Sequence, residues 1–172
     1  PSLVGSEMCI RDSSYGDAFS RVIYTESHDE VANGSARVPQ EVNDDDPTGY
    51  YAQKRSTLGA ALVLTSPGLP MIFQGQEFLE GEWFRDTVPL HWDQQDEFTG
   101  IFRMYSDLVG LRLNKEGHTK GLTGQHVDTL HLNPDNHIYA FHRWADGGAG
   151  DDVVVAVNLD SKTWGDYTCL LY

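Results

Sequence analysis

Arg21-Val22-Ile23-Tyr24-Thr25-Glu26-Ser27-His28-Asp29-Glu30 is a short apolar run that ends abruptly in a cluster of carboxylates beside a histidine. The run Val22 to Tyr24 predicts a buried strand, with the polar cluster just beyond its C-terminal end. In parallel α/β proteins the loops at that end converge, and functional groups collect there. A second run, Leu69-Pro70-Met71-Ile72-Phe73-Gln74, repeats the pattern and ends in Gln74-Gly75-Gln76-Glu77. Both strands are expected to be buried.

The segments between these runs complete two βα units. Residues 27–49 read as a long polar loop carrying Pro39 and Pro47, and a loop of that length in a compact domain is usually functional or mobile. A helix is predicted from about Tyr50 to Ser66. Its apolar face is taken from Tyr51, Arg55, Leu58, Ala61, Leu62 and Thr65, its N-terminal cap from Asp46-Pro47-Thr48, and its stop from Pro67-Gly68. After a loop rich in aromatic and charged residues, a further helix is predicted from about Glu97 to Asn114. It presents Phe98, Ile101, Phe102, Tyr105, Leu108 and Val109 on one face. Two such units in series indicate a parallel α/β sheet. The pattern then changes. Lys120 to Gly124 reads as a linker, followed by alternating runs at Val127–Leu132, Ile138–Trp144 and Val153–Asn158 with turn residues between them, which is an antiparallel β module.

The chain has 172 residues, 40% of them apolar, enough for a packed core, and a net charge of −14. That charge disfavours nucleic acid and anionic membrane surfaces but is neutral toward a sugar. No apolar stretch approaches the roughly 20 residues of a membrane span. Two cysteines, Cys9 and Cys169, do not make a disulfide scaffold. Residues 1–13 have no signal-peptide anatomy and no clear periodicity. They resemble a translated sequencing-adaptor peptide, and residues 169–172 resemble the start of another, so both segments are expected to be non-native and are left out of the fold reading.

The chemistry-bearing residues fall into two clusters. His28 and Asp29, flanked by Glu26 and Glu30, suit a carboxylate facing developing positive charge with a histidine on a substrate hydroxyl; a capping or ion-paired loop acid is the alternative. Glu77 with Gln74 and Gln76 forms a second strand-end cluster. Trp83 and Trp92 offer flat faces for a sugar ring, or else pack beneath their loop. His-Asp alone is too small a ligand set for a metal. His118, His126, His131, His137 and His142 are scattered and read as structural or exposed. There is no phosphate loop, nucleophile elbow or Cys-x-x-Cys pair.

Glu26-Ser27-His28-Asp29-Glu30 resembles the fourth conserved region of the α-amylase superfamily, glycoside hydrolase family 13, at the end of its seventh barrel strand. Leu69 to Phe78 looks like the eighth strand with its Gly-x-Glu ending, and the β module looks like the all-β domain behind the barrel. His28-Asp29-Glu30-Val31, Gly75-Gln76-Glu77-Phe78, Glu82-Trp83 and Pro89-Leu90-His91-Trp92 are most similar to branching enzymes. His91 stands where Asp is common, and Gly34-Ser35 departs from the usual Gly-Lys.

The resemblance implies an α/β fold: the last two βα units of a (β/α)8 TIM barrel over residues 14–118, then a truncated antiparallel all-β domain over residues 119–168. A barrel needs roughly 200–250 residues, so the chain reads as a fragment. It further implies a retaining mechanism on α-1,4-glucan, most similar to glucan branching, with α-amylase, a trehalose-releasing hydrolase, or a non-catalytic carbohydrate-binding protein of the same fold as alternatives. Asp29 takes the place of the transition-state stabiliser, and His28, Glu30, Glu77 and Trp83 those of substrate-binding groups. The nucleophile and acid would lie upstream. The implied partner is an α-glucan, with neither nucleic acid nor membrane; no cofactor and no metal site are assigned, and the expected location is cytoplasmic.

Overall fold

The computed structural model describes residues 17–32 and 34–168. The two adaptor-like segments, with both cysteines, lie outside the described residues. The rest forms an α/β structure in two compact units, one of residues 22–65 and 69–110, the other of residues 17–21, 66–68 and 111–168.

In the first unit β1 (Val22–Ile23) pairs in parallel with β2 (Leu69–Pro70), Val22 opposite Leu69 and Ile23 opposite Pro70. The pairing extends one step further, where the Met71 N–H donates to Ile23 O at 2.9 Å. It then ends because the Phe73 N–H turns to the Gln76 side chain at 2.7 Å. The strands are therefore shorter than the apolar runs. They are also less buried than expected: Val22 is 54% and Leu69 48% exposed. Strands of a parallel sheet are buried only when both flanks and both faces are covered, and this pair has no third strand among the described residues.

The segment 27–49, expected as loop, contains two short helices, α1 (His28–Val31) and α2 (Val38–Val42). Helix α3 (Tyr50–Thr65) has nearly the expected bounds but a different start and a different buried face. The Gln53 N–H donates to Gly49 O at 3.0 Å, so Gly49 occupies the capping position and Asp46 to Thr48 form the turn before it. Ala52, Ala60, Leu64 and Thr65 are buried, whereas Tyr51 is 57% exposed. The stripe counted from Tyr51 is off by a fraction of a turn. The inward face carries Ala60 and Leu64 into the core cluster, and the large aromatic is left outside.

The predicted helix at 97–114 is two pieces, α4 (Gln94–Glu97) and α5 (Thr99–Arg112), broken at Phe98 with φ −105° and ψ 38°. Phe98, Ile101 and Tyr105 join Ala60, Leu64 and Leu79 in the core, with Met104, Leu108 and Val109 against it; Phe102 faces outward.

The second unit is built on the antiparallel meander β3 (His126–Asn133), β4 (Ile138–Trp144) and β5 (Val153–Asn158), with a register shift between Thr129 and His131. Central β4 buries Ile138 to Phe141 on both faces. The expected linker at 120–124 is a 3-10 helix, Lys120–Thr123, with Gly121 and Leu122 buried. A Cβ on Gly121 would collide with the carbonyls of Arg143 and Asp151, so only glycine fits. Buried Arg143 fixes this segment by donating to the carbonyls of His126 at 3.0 Å and Leu122 at 3.3 Å. Burial, with Arg112 nearby, lowers its pKa to about 9.

Leu64→Ala should cost about 2–5 kcal/mol of stability in urea unfolding, as a buried leucine truncation does. Tyr51→Ala, on the face the periodicity chose, should change stability by no more than about 0.5 kcal/mol.

Candidate functional site

β1 exits into Thr25 and Glu26, and the two diverge. Glu26 turns inward: its side chain is 2% exposed and meets Arg37, 0% exposed, with Nη1 to Oε2 at 3.0 Å. The other carboxylate oxygen accepts the Val38 N–H at 2.8 Å. Burial pushes the Glu26 carboxyl upward, and the Val38 N–H and Arg37 act against that push without reversing it. Arg37 Nη1 also donates to Gln74 O at 3.0 Å and Nε to Glu82 O at 2.7 Å. Its third nitrogen, Nη2, is buried with no acceptor among the described residues. One guanidinium thus ties the exit of β1, the exit of β2 and the loop that follows. A buried charge is tolerable only when so paired, and removing one partner typically costs about 3–5 kcal/mol.

The β2 exit is a tight turn. Gly75 has φ +94°, and a Cβ there would run into the Glu80 side chain, so the position demands glycine. The turn is closed from inside by Gln76, which accepts from Phe73 and donates to Thr25 Oγ1 at 2.6 Å, linking it to β1. Glu80, 2% exposed, accepts from the Glu82 N–H and the His91 N–H and lies 3.1 Å from His91 Nδ1. Burial pushes the Glu80 carboxyl up, but the backbone and ring donors of His91 and the Glu82 N–H prevail and hold it below the usual carboxylate range. The same hydrogen bond and charge raise His91 above the ordinary histidine value.

The residues singled out in the sequence stand on this buried base. His28 and Asp29 begin α1 with side chains 62% and 99% exposed, Nδ1 3.3 Å from Oδ1. Glu30 is exposed beside them. The His28 ring meets the Phe84 ring edge-on, centroids 5.1 Å apart. The Phe84 N–H donates to Val31 O at 2.7 Å, and a parallel bridge joins Ala32 to Phe84, so the loop after β2 is laced to α1. Trp83, 36% exposed, lies beneath the Arg85 guanidinium, 5.0 Å from its ring centroid. Glu77 is half-buried and one of its oxygens accepts the Gly75 N–H at 3.0 Å, capping its own turn. The structure therefore joins His28, Asp29 and Glu30 to the segment carrying Trp83 and Phe84, and turns Glu77 toward Gly75.

Arg37 went unseen in the sequence, and Glu80 and Phe84 stood out only as members of the aromatic and charged loop, with no role assigned. Arg37 lies in a stretch without periodicity, and nothing local distinguishes a buried arginine from a solvated one. The Gly-x-Glu turn did hint at a crowded strand exit. Among the described residues no group of three or more His, Cys, Asp or Glu is placed to hold a metal, and no helix is long and apolar enough to cross a membrane.

No protein-family model matches the chain. The 1,4-alpha-glucan branching enzyme GlgB of Deinococcus radiodurans is 29% identical over 147 residues, 82% of this chain and 20% of that protein. The enzyme of the same name from Corynebacterium glutamicum is 29% identical over 165 residues, 87% of this chain and 21% of that protein. The fold is shared with a debranching enzyme of Nostoc punctiforme, at TM-score 0.55 and 21% identity over 80% of this chain and 24% of that one. It is also shared with a cyclomaltodextrinase, at TM-score 0.57 and 22% identity over 80% of this chain and 21% of that one. The chain is a relative of the α-amylase superfamily. It spans about a fifth of the length of the curated relatives it matches.

In this relative of the α-amylase superfamily the Glu80–His91 pair predicts a pH dependence. The depressed Glu80 contributes stability above its ordinary value of 4.5, lost as pH falls through its lowered pKa. The raised His91 contributes fully below 6.5, and that share is lost as pH rises through its elevated pKa. Both contributions are present between about pH 4.5 and 6.5. An NMR titration should place the His91 midpoint above 6.5, and His91→Gln should remove the decline of the unfolding midpoint on the alkaline side.

Proposed function

We propose that this chain forms the seventh and eighth βα units of a (β/α)8 barrel, over residues 14–118, and the start of the following all-β domain, in an enzyme that acts on α-1,4-glucan by a retaining mechanism and transfers the cleaved glucan to form α-1,6 branches. The observation that carries this reading is Asp29. It is fully exposed just past the C-terminal end of a parallel strand, hydrogen-bonded to His28 and mounted on a buried, ion-paired base.

In the proposed mechanism a carboxylate from outside these residues attacks the anomeric carbon and a second acid protonates the leaving oxygen. Asp29 supplies negative charge next to the oxocarbenium-like transition state, where fixed electrostatics act most strongly. His28 hydrogen-bonds hydroxyls of the same sugar. Glu30, Glu77 and Trp83 contribute at the edges, Trp83 as a stacking face. The covalent glucan then passes to a 6-hydroxyl of another chain. The resemblance of His28-Asp29-Glu30-Val31 to branching enzymes and the matches to enzymes of that name support transfer over hydrolysis.

The test uses the intact enzyme that contains this chain. Asp29→Asn should lower turnover on amylose at least about a hundredfold while leaving the circular dichroism spectrum unchanged; a loss below about tenfold removes Asp29 from the role. A branch-linkage assay should show α-1,6 linkages accumulating faster than reducing ends.

A further inference from the structure

We propose that Arg37 is a positioning residue that sets the orientation of the His28 imidazole through the ring stack Phe73–Phe84. The inference rests on the assignment of His28 and Asp29 to the sugar site, and extends it to groups that touch no substrate.

The contacts form a continuous series inside one compact unit. The Arg37 guanidinium carbon lies 5.0 Å from the Phe73 ring centroid. Phe73 meets Phe84 edge to face, centroids 5.6 Å apart and planes at 83°. Phe84 in turn meets the His28 ring at 5.1 Å and 67°. The stack starts at a group held from several sides, since Arg37 is 0% exposed and bonded to Glu26, Gln74 O and Glu82 O. It ends at a side chain that is 62% exposed and, among the described residues, makes its polar contact with Asp29. Without a fixed surface behind it such an exposed ring would sample several rotamers. Edge-to-face packing restricts both its tilt and its distance. The backbone reinforces the stack, because the Phe84 N–H bond to Val31 O fixes α1 against the loop segment at Phe84.

Arginine is required here for its shape. Its planar fork reaches a carboxylate and two carbonyls while one face covers the Phe73 ring, and a lysine ammonium does none of these together. Phe84 is required for its ring, since a leucine of similar bulk offers no edge to His28.

The experiment is a double-mutant cycle on the intact enzyme. Arg37→Lys and Phe84→Leu should each lower kcat about tenfold or more with KM changed less than about twofold, in protein that remains folded at the assay temperature. Phe84→Tyr, which keeps the ring, should restore most of the rate. In a His28→Ala background Phe84→Leu should cost less than about twofold further, because the group it acts through is gone. Retention of kcat in Phe84→Leu, or an undiminished loss in the His28→Ala background, overturns the inference. Asp29→Asn measured alongside separates the two claims. If it abolishes turnover while Phe84→Leu does not, the positioning role fails alone; if it leaves turnover intact, the assignment of the site fails first.

Discussion

The guanidinium of Arg37 is the constraint on which the first unit depends. It brings together Glu26 after β1, Gln74 after β2 and Glu82 in the loop that follows, and the Gln76–Thr25 and Phe84–Val31 hydrogen bonds act in the same direction. The two strands pair over two residues each, too few to fix the geometry of their exits. A buried cation can be accommodated only where acceptors surround it, so the need to satisfy Arg37 dictates where three loops must lie. The unmatched Nη2 shows that the solution is not complete among the described residues.

Around that constraint, acids of the same type fall into different roles. Glu26 and Glu80 are buried and fully occupied, one with Arg37 and the Val38 N–H, the other with His91 and the Glu82 N–H. Asp29 and Glu30 are in solvent on the neighbouring turn. The net charge of −14 carries no trace of this division. The exposed pair keeps its charge available, and the buried acids hold the backbone that presents it. The proposed catalytic role for Asp29 and the structural role of Glu26 are thus two outcomes of one strand exit, three residues apart.

Legibility in the sequence varied with the range of the interactions that fix each element. The bounds of β4 and β5 match the sequence reading, because short apolar, β-branched and aromatic runs bounded by turn residues are local signals. The bounds of α3 came out nearly as expected, while its buried stripe matched only at Thr65: Tyr51 and Arg55 face out, and Ala60 and Leu64 face in toward Leu79 and the Phe98, Ile101 and Tyr105 side chains, partners distant along the chain. The segments at 38–42 and 120–123 gave no periodic signal, being single turns held by tertiary contacts around Glu26 and Arg143. His28, Asp29 and Trp83 were visible as residue types at a strand end. Arg37 was not, and Phe84 was visible as a loop aromatic without its contact to His28.

By itself the sequence determined the α/β order of elements, the parallel relation of the two βα units, the antiparallel module after them, and the candidate acid at the end of β1. These follow from hydrophobic period, turn residues and the places where apolar runs stop, all of them short-range. Only the tertiary structure decided which carboxylates are buried, which face of α3 is core, and what stands behind His28. Those outcomes depend on desolvation and on partners distant along the chain, Arg37 for Glu26, His91 for Glu80 and Phe84 for His28. A residue's identity does not specify them, because the same carboxylate is stable in water or in the core provided the fold brings it a partner.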